Sequence, residues 1–407
     1  MLKNPSTQRP TKPLPWWFSV ALFACCVLVV TGYLIFTALN KRRVVGVYMQ
    51  RATALMRHDQ YSAAIESLDK AVALDPENLQ VQTEHLKTTI FKLTRDFDPL
   101  DRLLDLEKVD QAEADCRKLL EADPQSAELT ALLGIIYAHK DRPALAIETY
   151  KKASEMNPTY PNVRNFWGYS MVEWGFPNDW KPLAVQKFEE AKQLDASYVN
   201  PHINLALISL REGRVEQTID QLKVAEAISR ENDTLYVLWA YAIALQGTQL
   251  KSRDQVAAYQ KFSEALELYR IAIAVNPDRL ASHINRAELF IELGSYEPAI
   301  EEFNLALKLE PSFVMAHREL AETLLKRNSQ PTDRVEALNH LRQAVKFTDD
   351  TIQQYQVRRA RTDEEFARQK IDGWTKTRRD EKAELEKLIQ TATRNASSST
   401  RFQPLGR

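Results

Sequence analysis

The seven histidines and three cysteines of this 407-residue chain are its best candidates for metal or redox chemistry, and their spacing decides whether they can do it. His202, His283 and His317 occupy the same place in a repeating pattern described below, which sets them on separate helices. Neighbouring packed helices lie about 8–10 Å apart, whereas zinc ligands must all lie ~2 Å from one ion. Core packing is therefore expected of the three. Cys25 and Cys26 sit in an apolar run and Cys116 is alone, leaving neither a disulfide framework nor a C-x-x-C pair.

No H-E-x-x-H or G-x-S-x-G occurs, and the ten glycines form no G-x-G-x-x-G or G-x-x-x-x-G-K-[ST]. That sets aside the usual zinc-protease, serine-hydrolase, dinucleotide and P-loop chemistry. The acidic residues are spread along helix faces like solvated i, i+4 charges. Segments 176–182 and 248–260 could hide a site, but neither groups a base with a nucleophile. No catalytic residue, cofactor or metal is expected, and the chain does not read as an enzyme.

What positions the side chains is a helical repeat. Pro124 and Pro158 are 34 residues apart, as are Pro277 and Pro311; each follows an alanine by twelve residues, and all but Pro124 follow another by five. Residues 280–313 read LASHINRAELFIELGSYEPAIEEFNLALKLEPSF, with Ala287, Gly294, Tyr296, Ala299, Phe303, Ala306 and Pro311 as its signature positions. This pattern resembles the tetratricopeptide repeat, a helix-turn-helix unit. The frame starts units at Val45, Leu79, Ala127, Pro161, Val199, Asp233, Leu280 and Val314. Keeping it requires about 4 inserted residues near 176–181 and about 13 near 248–260, both in the turn within a unit; residues 79–126 fit worst.

Size explains the pattern, since two helices approach closely only where small side chains meet. Position 8 holds Ala52, Gly134, Gly168, Ala206, Ala240, Ala287 and Ala321, and alanine fills fourteen of the sixteen places at positions 20 and 27. Large residues at position 24, such as Tyr150, Phe188 and Phe303, fill the space between units. The resemblance implies an all-α, right-handed helix-turn-helix solenoid over residues 45–351. Residues 352–394 read as a helix capping its open end, with Ile352, Tyr355, Phe366 and Trp374 as contacts, and 395–407 as a disordered tail.

Before the repeats, residues 16–39 run 24 positions without a charge, about 36 Å as a helix against a ~30 Å bilayer core. Trp16, Trp17 and Tyr33 lie toward its ends, and Lys41, Arg42 and Arg43 follow it. The run is too long for a cleaved signal peptide, so a single transmembrane helix after a basic tail of residues 1–15 is expected. The flanking charges favour cytoplasmic repeats, with a periplasmic or lumenal placement as the alternative.

The charge balance places the partners in another class than nucleic acid. With 54 Lys+Arg against 55 Asp+Glu overall, and basic segments at 1–43 and 352–407, the repeats between carry a formal charge of −12. Counterion displacement needs the opposite sign. Repeat geometry in the resembled family places positions 2, 5, 6, 9, 12 and 13 of each first helix on the concave face. There stand Leu132, Ile135, Phe166, Tyr169 and Ile203, then Asn204, Leu207, Val237, Tyr241 and Asn285. An apolar groove of this kind accepts a segment of another protein or is filled by the chain's own loops. Of the family's binding modes, the clamp for acidic chaperone tails fails, because Met315 and Glu319 stand where Lys and Arg are needed. The expectation is a membrane-anchored scaffold recruiting other proteins; a receptor or assembly factor for protein translocation or envelope biogenesis is the alternative. Oligomeric state is not legible.

Overall fold

A computed structural model describes residues 16–57, 60–94, 105–327, 329–330 and 332–399, all in helices and their connections. The first units are α1 (Trp16–Arg57) with α2 (Tyr61–Leu74), α3 (Leu79–Thr94) with α4 (Leu106–Ala122), and α5 (Ala127–His139) with α6 (Pro143–Met156). Then come α7 (Pro161–Trp174) with α8 (Trp180–Leu194), and α9 (Val199–Arg211) with α10 (Val215–Ile228). α11 (Asp233–Leu250) pairs with α12 (Gln255–Val275), α13 (Leu280–Glu292) with α14 (Tyr296–Leu309), and α15 (Val314–Arg327) with α16 (Asp333–Arg361); α17 (Glu365–Ser399) closes the described chain. The first helix of each unit from the second onward begins where the 34-residue frame begins it.

Six of the eight units stop for the same local reason. The second helix ends at Asp75, Asp123, Asn157, Asp195, Asn276 or Glu310, and that residue's carbonyl accepts an N–H from three residues on, closing a turn. Proline follows in five of these six turns, where its fixed φ suits the second position and its missing N–H ends the helix. Ser126, Asn232 and Asp254 then cap the helices that follow, each side chain accepting a backbone N–H three residues on.

Within a unit, position 8 lies under position 24. A Cβ on Gly134 would sit 2.6 Å from the Tyr150 ring, and one on Gly168 2.7 Å from Phe188, so glycine permits the aromatic ring and the ring fills the space. Tyr150, Phe188, Leu222, Tyr269, Phe303 and Leu341 are all buried, stacked along the array with the alanines of positions 20 and 27. Cys116 takes the same place in the unit that fits worst, buried with its thiol pushed up to about 12 by desolvation. Residues 95–104 of that unit lie outside the described residues.

Three expectations change. Among the described residues no helix is long and apolar enough to cross a membrane, which overturns the single-pass membrane placement and the orientation built on it. The apolar run is the first part of α1, a continuous 42-residue helix that passes through Lys41, Arg42 and Arg43 without a break. Lys41 pairs with Asp75 at 2.7 Å, and Val45 and Ala52 pack into the first unit. The side chains of residues 16–29, like the whole of 1–15, lie outside the described residues.

The insertion near 248–260 forms no long loop. It lengthens α11 and α12 to 18 and 21 residues, with Phe262 closing over Gly247 in an added turn of packing. The helix expected over 352–394 has other bounds, and its Leu385, Leu388 and Ile389 pack into the core of the last units. α16 runs on through the expected boundary at 351 to Arg361, Thr362–Glu364 reverse the chain, and α17 returns along α16 through 394 to Ser399. Residues 400–407 lie outside the described residues.

Candidate functional site

The α16–α17 hairpin reaches back across the array to its third and fourth units. Arg358 donates from Nε and Nη2 to the Asp141 carboxylate at 3.0 and 2.6 Å, and Thr362 Oγ1 donates to the Asp141 carbonyl at 2.6 Å. Glu364 accepts the backbone N–H groups of Ala144 and Leu145 at the start of α6, a cap supplied from another element. At the C-terminal end of α7, Lys370 donates to the Glu173 carbonyl at 3.0 Å and also to the Trp174 carbonyl. Trp374 meets Trp174 at 5.5 Å between ring centroids and Phe366 meets Phe176 at 4.9 Å. The hairpin thus covers the turns within the third and fourth units and the end of α7 beside the concave face, with Phe176 of the inserted 176–181 segment among its contacts.

Two cavities remain open on that face. The first, about 250 Å³, is lined by Ile135, Phe166, Tyr169, Ile203 and Asn204, five of the ten residues expected in the groove. Tyr61, Phe91, Asn165, Glu173, Asn200, Asn232 and Arg279 join them. Amides dominate its polar wall. Asn204 Nδ2 donates to Asn165 Oδ1 at 2.9 Å and Asn232 Nδ2 to Asn200 Oδ1 at 3.2 Å, while the Tyr198 hydroxyl bonds Asn165 and Asn200. Such groups carry both donors and acceptors and match a peptide backbone. Burial raises Glu173 to about 7, and burial beside Arg358 lowers His139 to about 3, so the imidazole is neutral.

The second cavity, about 360 Å³, contains Tyr241 and Asn285 from the expected set, with Tyr269, Glu288, Glu319 and Lys326. Asn285 is bonded to the Tyr269 hydroxyl. Tyr169 and Tyr241 keep 41% and 42% of their surface exposed, so part of each ring is accessible from the cavity it lines. The other three expected residues are not. Leu132 and Val237 are buried in core clusters and Leu207 packs against the cluster that holds Met171 and Phe188, because helices so close turn these positions against the next unit. The sequence reading missed Asn165, Asn200 and Asn232; the signal was asparagine at position 2 or 5 of neighbouring first helices, or just before one.

His202, His283 and His317 do not converge on one another, although His317 meets His340 of α16 at 2.9 Å between their Nδ1 atoms. His283 Nε2 lies 2.9 Å from the Pro277 carbonyl and His317 Nε2 3.0 Å from the Pro311 carbonyl, so these two histidines tie the inter-unit turns before them to their own helices. Among the described residues no group of three or more His, Cys, Asp or Glu could hold a metal ion.

A sequence profile described as the tetratricopeptide repeat matches residues 45–78, and a second one matches 100–161 and 257–312. The chain carries tetratricopeptide repeats. It is 21% identical over 308 residues to the DnaJ homolog subfamily C member 7 homolog of Dictyostelium discoideum, covering 69% of this chain and 52% of that protein. It is 24% identical over 297 residues to DnaJ homolog subfamily C member 3 of Gallus gallus, covering 71% and 50%. The type IV pilus assembly protein PilF of Pseudomonas aeruginosa is 28% identical over 158 residues, covering 38% and 58%. The chain spans about half the length of these relatives. Among solved structures, the APC/C hetero-tetramer Cut9-Hcn1 superposes with a TM-score of 0.54 at 16% identity, covering 78% of this chain and 55% of that one. The human IFIT1 dimer with m7Gppp-AAAA also gives 0.54, at 17% identity and 88% and 90% coverage. At such identities the likeness is one of fold.

Proposed function

We propose that the chain is a non-enzymatic scaffold whose concave groove binds extended or helical segments of other proteins and so gathers those proteins together. The observation that carries this is the wall of asparagine amides beside the exposed Tyr169 ring. Amides offer a backbone its hydrogen bonds, and a rigid aromatic anchor contributes large contact area with few rotatable bonds. Nucleic acid is the poorer occupant, because the carboxylates of Glu288 and Glu319 face the same groove. An assembly factor for protein translocation or envelope structures is the second reading, supported by the likeness to a pilus assembly protein.

A photo-reactive amino acid placed at Tyr169 of the full chain in its own cells tests the groove. Cross-links to defined segments of other proteins, absent when the probe sits at exposed Glu301 on α14, are expected. Equal cross-linking from both positions would remove the groove as the binding surface.

A further inference from the structure

The second cavity differs from the first in its charge. Glu288 projects from α13 and Glu319 from α15 into it, and among the described residues neither carboxylate takes part in a hydrogen bond or ion pair. The acids around them are already satisfied: Glu292 pairs with Lys251, and Glu322 pairs with Arg318 at 3.1 Å. Lys326 is the cation in the lining; its field and that of Arg318 reach Glu319, and no cation is among the influences on Glu288. Burial and the charge of Glu319 raise Glu288 to about 7, the mark of a carboxylate lacking a counter-charge. Across the cavity stands the exposed ring of Tyr241, whose π face attracts a cation.

We infer that this cavity takes a lysine or arginine side chain of an extended protein segment, its charge set against Glu288 and Glu319 and its stem along the Tyr241 ring. The partner is therefore a basic segment, opposite in sign to an acidic tail. This rests on the reading of the groove as a segment-binding surface, and it specifies the chemistry of the segment. A cation here removes the repulsion between the two carboxylates and replaces the water they lost, so charge complementarity acts where the dielectric is low.

The test uses the full chain and three fluorescent peptides of one design, in which lysine and arginine alternate with leucine and serine. The second peptide has glutamine in place of each basic residue and the third has glutamate. Fluorescence anisotropy is expected to show the basic peptide binding at least ~10-fold more tightly than the neutral one, with the acidic one weakest. Glu288→Gln with Glu319→Gln should remove that preference, while Glu216→Gln with Glu301→Gln, on the exposed outer helices, should leave it intact.

Equal losses in the two double variants would mean diffuse attraction to an acidic protein and would overturn the inference. So would equal binding of all three peptides that is still lost on Tyr169→Ala, although the groove reading would then stand. If no peptide binds and Tyr169 yields no cross-links, both fall.

Discussion

Asp141 sits in the left-handed region at φ 61°, where the corresponding residues of three other units are Gly175, Gly213 and Gly294, and its carboxylate accepts two hydrogen bonds from the Arg358 guanidinium. The partners are 217 residues apart in sequence and almost wholly buried. A non-glycine residue here costs about 1–2 kcal/mol in backbone strain. Removing one member of a buried pair costs about 3–5 kcal/mol. The ion pair is the larger effect, so the aspartate holds its place despite the turn's preference for glycine.

Asp141→Gly therefore relieves the turn and still loosens the hairpin. Hydrogen exchange in α17 around Lys370 should accelerate strongly while α13 and α14 keep their protection. If α17 in Asp141→Gly exchanges as slowly as in the parent, the ring contacts of Phe366 and Trp374 hold the hairpin by themselves and the ion pair does not fasten it.

The repeats were legible because a period of 34 residues is imposed by packing, and small residues must recur where backbones approach. The hairpin was not, because its partners lie outside any period: the one local signal is aspartate at position 141, where three other units carry glycine. The presumed anchor misled for a different reason. An uncharged run of 24 residues satisfies a length criterion, but length says nothing about whether the helix ends at Lys41 or continues into α2's partner, as α1 does. In the groove, period arithmetic gave the face and could not give depth, so buried Leu132 and exposed Tyr169 looked alike.

Gly134 tests the packing rule directly. Its added Cβ would meet buried Tyr150, which is held by a hydroxyl contact of 3.0 Å to Ser170 and cannot swing aside. Gly134→Ala should lower stability by about 1–3 kcal/mol, and Gly134→Leu by at least as much. Thermal unfolding is the measurement; a midpoint unchanged in both variants would show that the ring yields.

Two histidines at the same repeat position should titrate in opposite directions. His283 meets the Glu302 carboxylate at 2.7 Å and a carbonyl at its other nitrogen, so both nitrogens donate and its pKa is raised above 6.5. His317 meets His340 Nδ1 at 2.9 Å and burial lowers both rings below 6.5. Stability from His283 is thus present below pH 6.5 and lost as pH rises through its folded value. For the other pair the unfolded chain takes up protons first, so stability falls as pH drops below 6.5. Histidine NMR titration should separate them, and Glu302→Gln should bring His283 down; His283 ionising with His317 would contradict the assignment.

The groove itself is tested by removing its anchors without touching its core. Tyr169 and Tyr241 are exposed, and Asn204 contributes one amide to a wall that keeps Asn165, Asn200 and Asn232, so Tyr169→Ala, Tyr241→Ala and Asn204→Ala together should change helicity and unfolding little. Loss of two aromatic anchors and one backbone partner should nonetheless weaken segment binding by ~100-fold or more, since central aromatic residues supply about 2 kcal/mol or more each in such interfaces. Circular dichroism and anisotropy on one preparation measure both quantities. Binding within a few-fold of the parent, with helicity retained, would place the contact surface elsewhere, on the acidic outer helices or on the basic stretch of α17.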